Sequence, residues 1–533
     1  MSIKFRKNGM SGVIRNVKYV YDNKREINTT KLYNHKKDKI VILGSGWGGI
    51  HFLLNIDFRK YDITLISPRN YFTFTPLLPC LCSGTLSTNA CTEKVSKFLK
   101  KNGLSGSYLQ LECTDIEPTE KFITCKDNNN KEVKIEYDYL IISVGAKTNS
   151  FNIKGVDKYA FFVKDIQGVL QIREKFLKIL ETCSMSNFSD EEIRKLLHVV
   201  VVGGGPTGVE VAGEFADFIH KDVKKKYKNI YPFISVSIVE GGNNLLPTFT
   251  QNISDFTKKT FQNLNINVQT NYYVREVDEN NIYIQSSVNK NEKGKKVPYG
   301  MLIWASGLAQ TSLIMNFLKK IPEQVNNKIL NVNAQLAVIG IKENNIYAIG
   351  DCKKIQPLKL EEHVKDVINT FSNSPTNFTS DLLKSKADEL SKKFPQVSTS
   401  KWDYNKNKKV QMDIQQFCEY LKQIDENYKS PAPTAQNAKQ EAYYLSNLFN
   451  THLKNNTQAH QIPSFIEKWK GSIAYIGNHQ VVAHLPFYEI CGGYFSFTFW
   501  KIVYIQLLLT WKSRLFFLLD ILRTKICGRP FSK

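Results

Sequence analysis

No two of the ten cysteines in this chain stand at C-x-x-C spacing, and none occurs before Cys80. The nearest approach, Cys80 and Cys82, has neither a second pair nor neighbouring histidines. A disulfide framework and a structural metal site are thereby excluded; reduced, buried thiols in a reducing compartment remain. Acid is missing from the first 21 residues, which carry Lys4, Arg6, Lys7, Arg15 and Lys18. Segment 1–38 is basic and lacks the apolar core of a secretory signal, so it reads as a mitochondrial transit peptide. Long uncharged runs are missing too. Residues 494–526 are the most apolar part, yet Lys501, Lys512, Arg514, Asp520, Arg523 and Lys525 interrupt them. A spanning helix needs about 18 uninterrupted apolar residues, so this stretch is expected to lie on a membrane, not cross it. Finger, basic-zipper and RNA-binding aromatic patterns are absent. The formal charge of +23 therefore points to an anionic membrane surface and not to nucleic acid, with the lysines at 224–226 and 293–296 read as solvated faces.

What is present, 42% apolar and 12% aromatic residues, describes a globular chain of two or three domains. Residues 39–50 (KIVILGSGWGGI) open with an apolar run read as a buried parallel strand. They continue through Gly44, Ser45, Gly46, Trp47, Gly48 and Gly49 at the G-x-G-x-x-G spacing that starts a helix. Gly44 allows the tight turn, Gly46 a close approach to a pyrophosphate, and Gly49 the packing of helix on strand, while free N–H groups at the helix start face the anion. Residues 197–208 (LHVVVVGGGPTG) repeat the pattern with Gly203, Gly204, Gly205, Pro206, Thr207 and Gly208. Two dinucleotides on one chain imply electron transfer between them.

The strand after the first turn, 63–67, does not end in the carboxylate that usually takes ribose hydroxyls; Ser67, Pro68, Arg69 and Asn70 stand there. On the residues alone, either neutral groups hold the adenosine end or Arg69 faces a 2′-phosphate. The second fold has its carboxylate. Strand 234–240 (ISVSIVE) ends in Glu240, which can accept hydrogen bonds from the ribose of NADH and would repel the extra phosphate of NADPH. Glu240 lies farther from Gly208 than usual, which requires helix 209–219 to run on into the lysines at 224–228. Glu210 and Glu214 fall one turn apart on that helix. Acids there complement the helix dipole, and the place of Glu210 beside the phosphate turn makes it the candidate catalytic residue, managing a proton. A first helix to about residue 59, a helix at 165–185, an antiparallel sheet within 106–134 and buried strands at 139–145 and 300–307 complete the readable elements. The polar segment 353–430, with amphipathic stretches at 380–394 and 412–424, is assigned no chemistry.

Three further motifs, SPRN-YFTFTPLLP at 67–79, IGD at 349–351 and A-Q-x-x-x-Q at 435–440, follow in order and resemble those of type II NADH:quinone oxidoreductases over most of 39–533. The resemblance implies an α/β fold of two Rossmann-like dinucleotide-binding domains plus a C-terminal amphipathic helical membrane-anchoring unit. It implies non-covalent FAD, NADH as donor and ubiquinone as acceptor, without proton pumping. It places Ser67, Pro68 and Arg69 at the adenosine end of FAD and Thr75 and Pro76 near the isoalloxazine ring. Val144 and Gly145 would line the cofactor, and Gly350 and Asp351 would meet the ribityl chain. Ala305, Ser306 and Gly307 would lie against NADH. Ala435 and Gln436 would touch the flavin edge, with Gln436 and Gln440 near the quinone; Lys439 departs from the family there.

Trp511, Leu515, Leu518 and Leu522 share one stripe of the tail, with Asp520 opposite and Lys512, Arg514 and Arg523 flanking, as an interfacial helix requires. The expected divisions are 1–38 targeting, 39–160 and 331–470 flavin, 161–330 nicotinamide, and 471–533 membrane anchor, peripheral to the mitochondrial inner membrane. A homodimer is what the family implies. Two alternatives stay open: a sulfide:quinone oxidoreductase, for which Cys183 and Cys352 are the one plausible pair, and an apoptosis-inducing type of flavoprotein switched by NADH.

Overall fold

The computed structural model describes residues 37–101, 104–289, 291–371, 377–405, 411–451 and 462–531; the basic segment up to residue 36 lies outside them. In chain order, the flavin half supplies β1 (Asp38–Leu43), α1 (Trp47–Asn55) and β2 (Tyr61–Ile66). It continues with β3 (Ser107–Leu109), β4 (Glu112–Glu117), β5 (Phe122–Lys126), β6 (Glu132–Glu136) and β7 (Tyr139–Ile142). The nicotinamide half contains α2 (Ile166–Met185), β8 (His198–Val202), α3 (Pro206–Phe218), β9 (Ser235–Glu240), β10 (Ile266–Thr270) and β11 (Met301–Trp304). The chain then returns through β12 (Ile346–Ala348), α4 (Ile414–Asn427) and α5 (Ala435–Thr451). It ends in β13 (Ser472–Tyr475), β14 (Val481–His484), β15 (Glu489–Cys491), α6 (Tyr494–Leu507) and α7 (Trp511–Cys527).

Each half is built on a five-stranded parallel sheet. The flavin sheet runs β12-β7-β1-β2-β3, and the nicotinamide sheet runs from the short edge strand Phe161–Phe162 through β11, β8 and β9 to β10. Strands covered on both faces must be apolar along their length, and Ile40, Val41, Ile42 and Val199, Val200, Val201 are all buried. In both sheets the glycine turn follows the central strand, at the point where the strand order reverses.

The structure redraws two expected boundaries and divides the tail. Helix α1 stops at Asn55 and does not reach Arg59, because the Asp57 N–H is taken by Asn450 Oδ1 at 2.9 Å. The antiparallel sheet expected over 106–134 is β4-β5-β6; Ser107–Leu109 instead adds to the flavin sheet as a parallel edge. The apolar tail is broken at 508–510 into two helices. Helix α3 does run on, through a π-turn (Ile219–Val223) to Lys226.

The polar segment 353–430 folds around its own core. Phe371, Phe378, Phe394, Trp402, Tyr404, Phe417 and Tyr420 are buried together, with Phe378 stacked on Phe417 at 4.4 Å. A few large rings spaced widely among lysines are enough to close a small helical unit, a pattern that average hydropathy hides.

Helix α5 locks onto the flavin sheet through Phe449, which meets the edges of Phe52, Tyr61, Tyr139 and Tyr347 at 5.2–5.8 Å. Phe449 is fully buried, so Phe449→Ala should cost about 3–5 kcal/mol. Denaturant titration of wild type and variant checks this; a loss under about 1 kcal/mol would contradict the hub.

Candidate active site

One cavity of about 1300 Å³ joins the two halves to the C-terminal unit. All the residues assigned to the flavin line it, from Gly44 and Ser67 to Gly350, Asp351, Ala435 and Gln436, with the exception of Gly49. Gly49 is buried behind the turn, where a Cβ would stand 2.0 Å from the Gly44 carbonyl oxygen. Gly208 repeats this geometry at 1.9 Å from the Gly203 oxygen. Gly46 and Gly205 have open space where a side chain would project, as backbone that receives a phosphate requires.

The chain fits FAD in its detailed chemistry. Ser45 and Ser67 hydroxyls share a hydrogen bond at 2.9 Å, and Trp47 Nε1–H donates to Thr75 Oγ1 at 3.0 Å, fixing the segment 67–76 along the cavity. Tyr108 and Gln110 donate to the carbonyls of Ser67 and Pro68. Gly350, at φ +78°, donates its N–H to Glu441 Oε2 at 2.6 Å, and Glu441 is paired with Lys353 inside the protein. Asp351 is left facing the cavity, 3.7 Å from Lys164. Sequence reasoning missed Glu441, although it immediately follows Gln440 on a helix whose two glutamines were read for function.

The nicotinamide assignments divide. Pro206, Thr207, Glu210, Ala305 and Gly307 line the cavity; Gly203, Gly204, Gly205, Ser306 and Glu240 stand outside it. Glu240 accepts the N–H groups of Gly204 at 2.6 Å and Gly242 at 2.7 Å, which holds the carboxylate at the rim of the second glycine turn. Gln436 and Gln440 diverge as well. Gln436 lines the cavity while its Oε1 accepts the Lys470 N–H at 3.1 Å. Gln440 lies outside the cavity, its amide pairing twice with the Lys468 backbone. Both glutamines therefore pin the strand that enters the C-terminal unit. That unit contributes Ser472, Ile473 and the buried Tyr504 to the cavity wall; none of the three had been singled out from the sequence.

Glu210 is buried beside the cavity and accepts the Tyr475 N–H at 3.2 Å. Burial raises its carboxyl from the ordinary 4.5 to about 8, with the Tyr475 N–H opposing and the nearby Glu214 adding. The carboxyl thus holds a proton at neutral pH. Between these two values the folded chain binds the proton that the unfolded chain has lost, so stability falls as pH rises, by up to about 1.4 kcal/mol per pH unit. Glu210→Gln removes this dependence. Denaturant titrations at about pH 5 and about pH 8 should show the variant gaining on wild type as pH rises; parallel curves would contradict the shifted proton.

Residues 38–374 match the pyridine nucleotide-disulphide oxidoreductase family, residues 362–428 the PfNDH2 helical insertion domain, and residues 469–530 the NDH2 C-terminal domain. The chain is 31% identical to a mitochondrial external alternative NAD(P)H-ubiquinone oxidoreductase of Solanum tuberosum, over 93% of this chain and 91% of that one. It is 68% identical to NDH2 of Plasmodium falciparum solved in complex with NADH, at a TM-score of 0.91 over 93% of this chain and all of that one. The lysine- and asparagine-heavy composition is in keeping with a malaria-parasite relative. The sulfide:quinone oxidoreductase of Aquifex aeolicus, at 16% identity and a TM-score of 0.58, shares the fold. Within the pyridine nucleotide-disulphide oxidoreductases, the chain belongs to the type II NADH dehydrogenases.

Proposed function

We propose that this chain is a mitochondrial NADH:ubiquinone oxidoreductase, peripheral to the inner membrane and without proton pumping, in which both substrates meet one flavin in the cavity described. The observation that carries the reading is convergence: the first glycine turn, Glu210 beside the second, and Tyr504 from α6 all reach the same space. FAD, when bound there, supplies the two-electron relay between nicotinamide and quinone.

The protein's own groups bind, orient and handle the proton. Gly44 and Gly46 would receive the pyrophosphate of FAD and Asp351 would accept its ribityl hydroxyls, while Glu441 fixes the backbone that carries Asp351. Glu240, with its free lone pairs, takes the NADH ribose and disfavours a 2′-phosphate. Glu210 holds its proton next to the reacting end, and Gln436 orders the wall shared by flavin and quinone. The sulfide:quinone alternative has no support in the site, since neither Cys183 nor Cys352 lines the cavity.

The anchor is read from α7. Trp511, Leu515, Leu518 and Leu522 are 50–81% exposed, and among the described residues no helix is long and apolar enough to cross a membrane. Asp520, on the opposite side, is buried and accepts from the Ser87 N–H and hydroxyl, both at 2.7 Å. Arg523, expected on a flank, turns inward to donate to the Gly84 carbonyl at 3.3 Å. A homodimer through the same unit completes the proposal. Replacing the four stripe residues by Ser removes about 1.5–3 kcal/mol of transfer free energy each. The variant should leave anionic vesicles and lose turnover with long-chain ubiquinone embedded in them, while keeping turnover with a water-soluble quinone. Unchanged vesicle binding would overturn the anchor.

A further inference from the structure

Strands β4 and β5 set Cys113 directly opposite Cys125 in antiparallel register, next to a bulge between Cys113 and Asp115. Opposed residues on such a ladder have Cα atoms about 4.5–5.5 Å apart, inside the about 4.4–6.8 Å that a disulfide spans. The two side chains lie on one face of the ladder, and the Cys113 thiol donates to the Asp115 carbonyl at 3.4 Å. Their surroundings differ. Cys125 is fully buried, whereas Cys113 is half-buried and lines the cavity. Cys113 stands beside Ser67 and Pro68, since Tyr108 and Gln110 of the same segment bond their carbonyls.

This pair is unlike three other thiols of the flavin half. Cys80, Cys82 and Cys91 are buried and held as thiols because burial pushes each of them up, the condition of inert structural cysteines. The neighbouring Cys113 thiol instead holds Cys125 below its ordinary range, while Cys125 and burial raise Cys113. Cys113 alone of the two reaches the cavity, and Cys125, lowered beside it, can take the Cys113 proton as that sulfur attacks.

We propose that Cys113 and Cys125 form a reversible redox-modification site, a dithiol that a hydroperoxide entering the cavity converts into a cross-strand disulfide. The Cys113 sulfur attacks one peroxide oxygen; the O–O bond breaks, an S–O bond forms, and the departing oxygen leaves as water with the thiol proton. Cys125 then attacks the Cys113 sulfur, the S–O bond breaks, the S–S bond forms, and a second water leaves with the other proton. The two thiols lose two electrons and the peroxide gains them. A small thiol in excess reverses the change by exchange. The disulfide ties the bulged strand to its neighbour and withdraws a thiol from the cavity wall.

The test uses full-length, FAD-loaded protein, reduced, freed of reductant and given hydrogen peroxide at one equivalent, then alkylated under denaturing conditions and mapped by peptide mass spectrometry. The proposal expects a Cys113–Cys125 cross-linked peptide lighter by two hydrogens, two fewer alkylated thiols, and full recovery with dithiothreitol, with Cys80, Cys82 and Cys91 unchanged. Cys113→Ser should leave Cys125 fully alkylated after peroxide. Cys125→Ser, if it folds, should stop at a sulfenic acid on Cys113 that dimedone traps. Wild type that accumulates the dimedone adduct on Cys113, or that keeps both thiols, would overturn the proposal.

Discussion

The guanidinium of Arg529 sits among three buried carboxylates: Asp222 at 2.9 Å, Glu214 at 3.4 Å and Asp217 at 4.0 Å. Its position raises its own affinity for the proton, since the carboxylates outweigh the penalty of burial. Glu214 also accepts from the Ser83 and Thr85 hydroxyls, both at 2.6 Å. Ions taken out of water are tolerable only when they are paired and hydrogen-bonded; removing one partner from such a group typically costs about 3–5 kcal/mol. This knot fastens the segment after α7 to α3 and so ties the amphipathic helices to the nicotinamide half. The π-turn after α3 is part of the arrangement, because it carries Asp222.

Helix α3 consequently serves two ends at once. Glu210, near its start, faces the cavity; Glu214 and Asp217, one and two turns on, face the C-terminal unit. Tyr475 connects them, donating its N–H to Glu210 and its hydroxyl to Asp217. The same side of one helix therefore positions the proton-bearing carboxyl and docks the unit that brings Tyr504 to the cavity. Glu441 and Lys353 play the matching part on the flavin side, where a buried pair holds the Gly350 turn against α5.

Much of this was legible in the sequence because its cause is local. A glycine turn between an apolar strand and a helix declares itself in twelve residues, and both copies took their expected places. The exposed stripe of α7 was legible for the same reason, since helical period alone decides which side chains share a face. Contacts distant in sequence were not legible. Nothing in the order of residues says that Arg529 will meet Glu214 across 315 positions, or that Gln440 will pair with the Lys468 backbone and stand outside the cavity. The helical insertion was hidden by its lysines, because its core rests on a few rings and not on a periodic apolar run.

Rapid mixing under anaerobic conditions tests the central claim, that one flavin serves a nicotinamide site and a quinone site. NADH should bleach the bound flavin within the dead time to milliseconds expected of a productive site, NADPH should do so far more slowly, and a short-chain ubiquinone should then restore the oxidised spectrum promptly. Bleaching by NADH without recovery on adding quinone would contradict the account, leaving a flavoprotein that answers to NADH but passes its electrons nowhere near the cavity wall formed by α5 and α6.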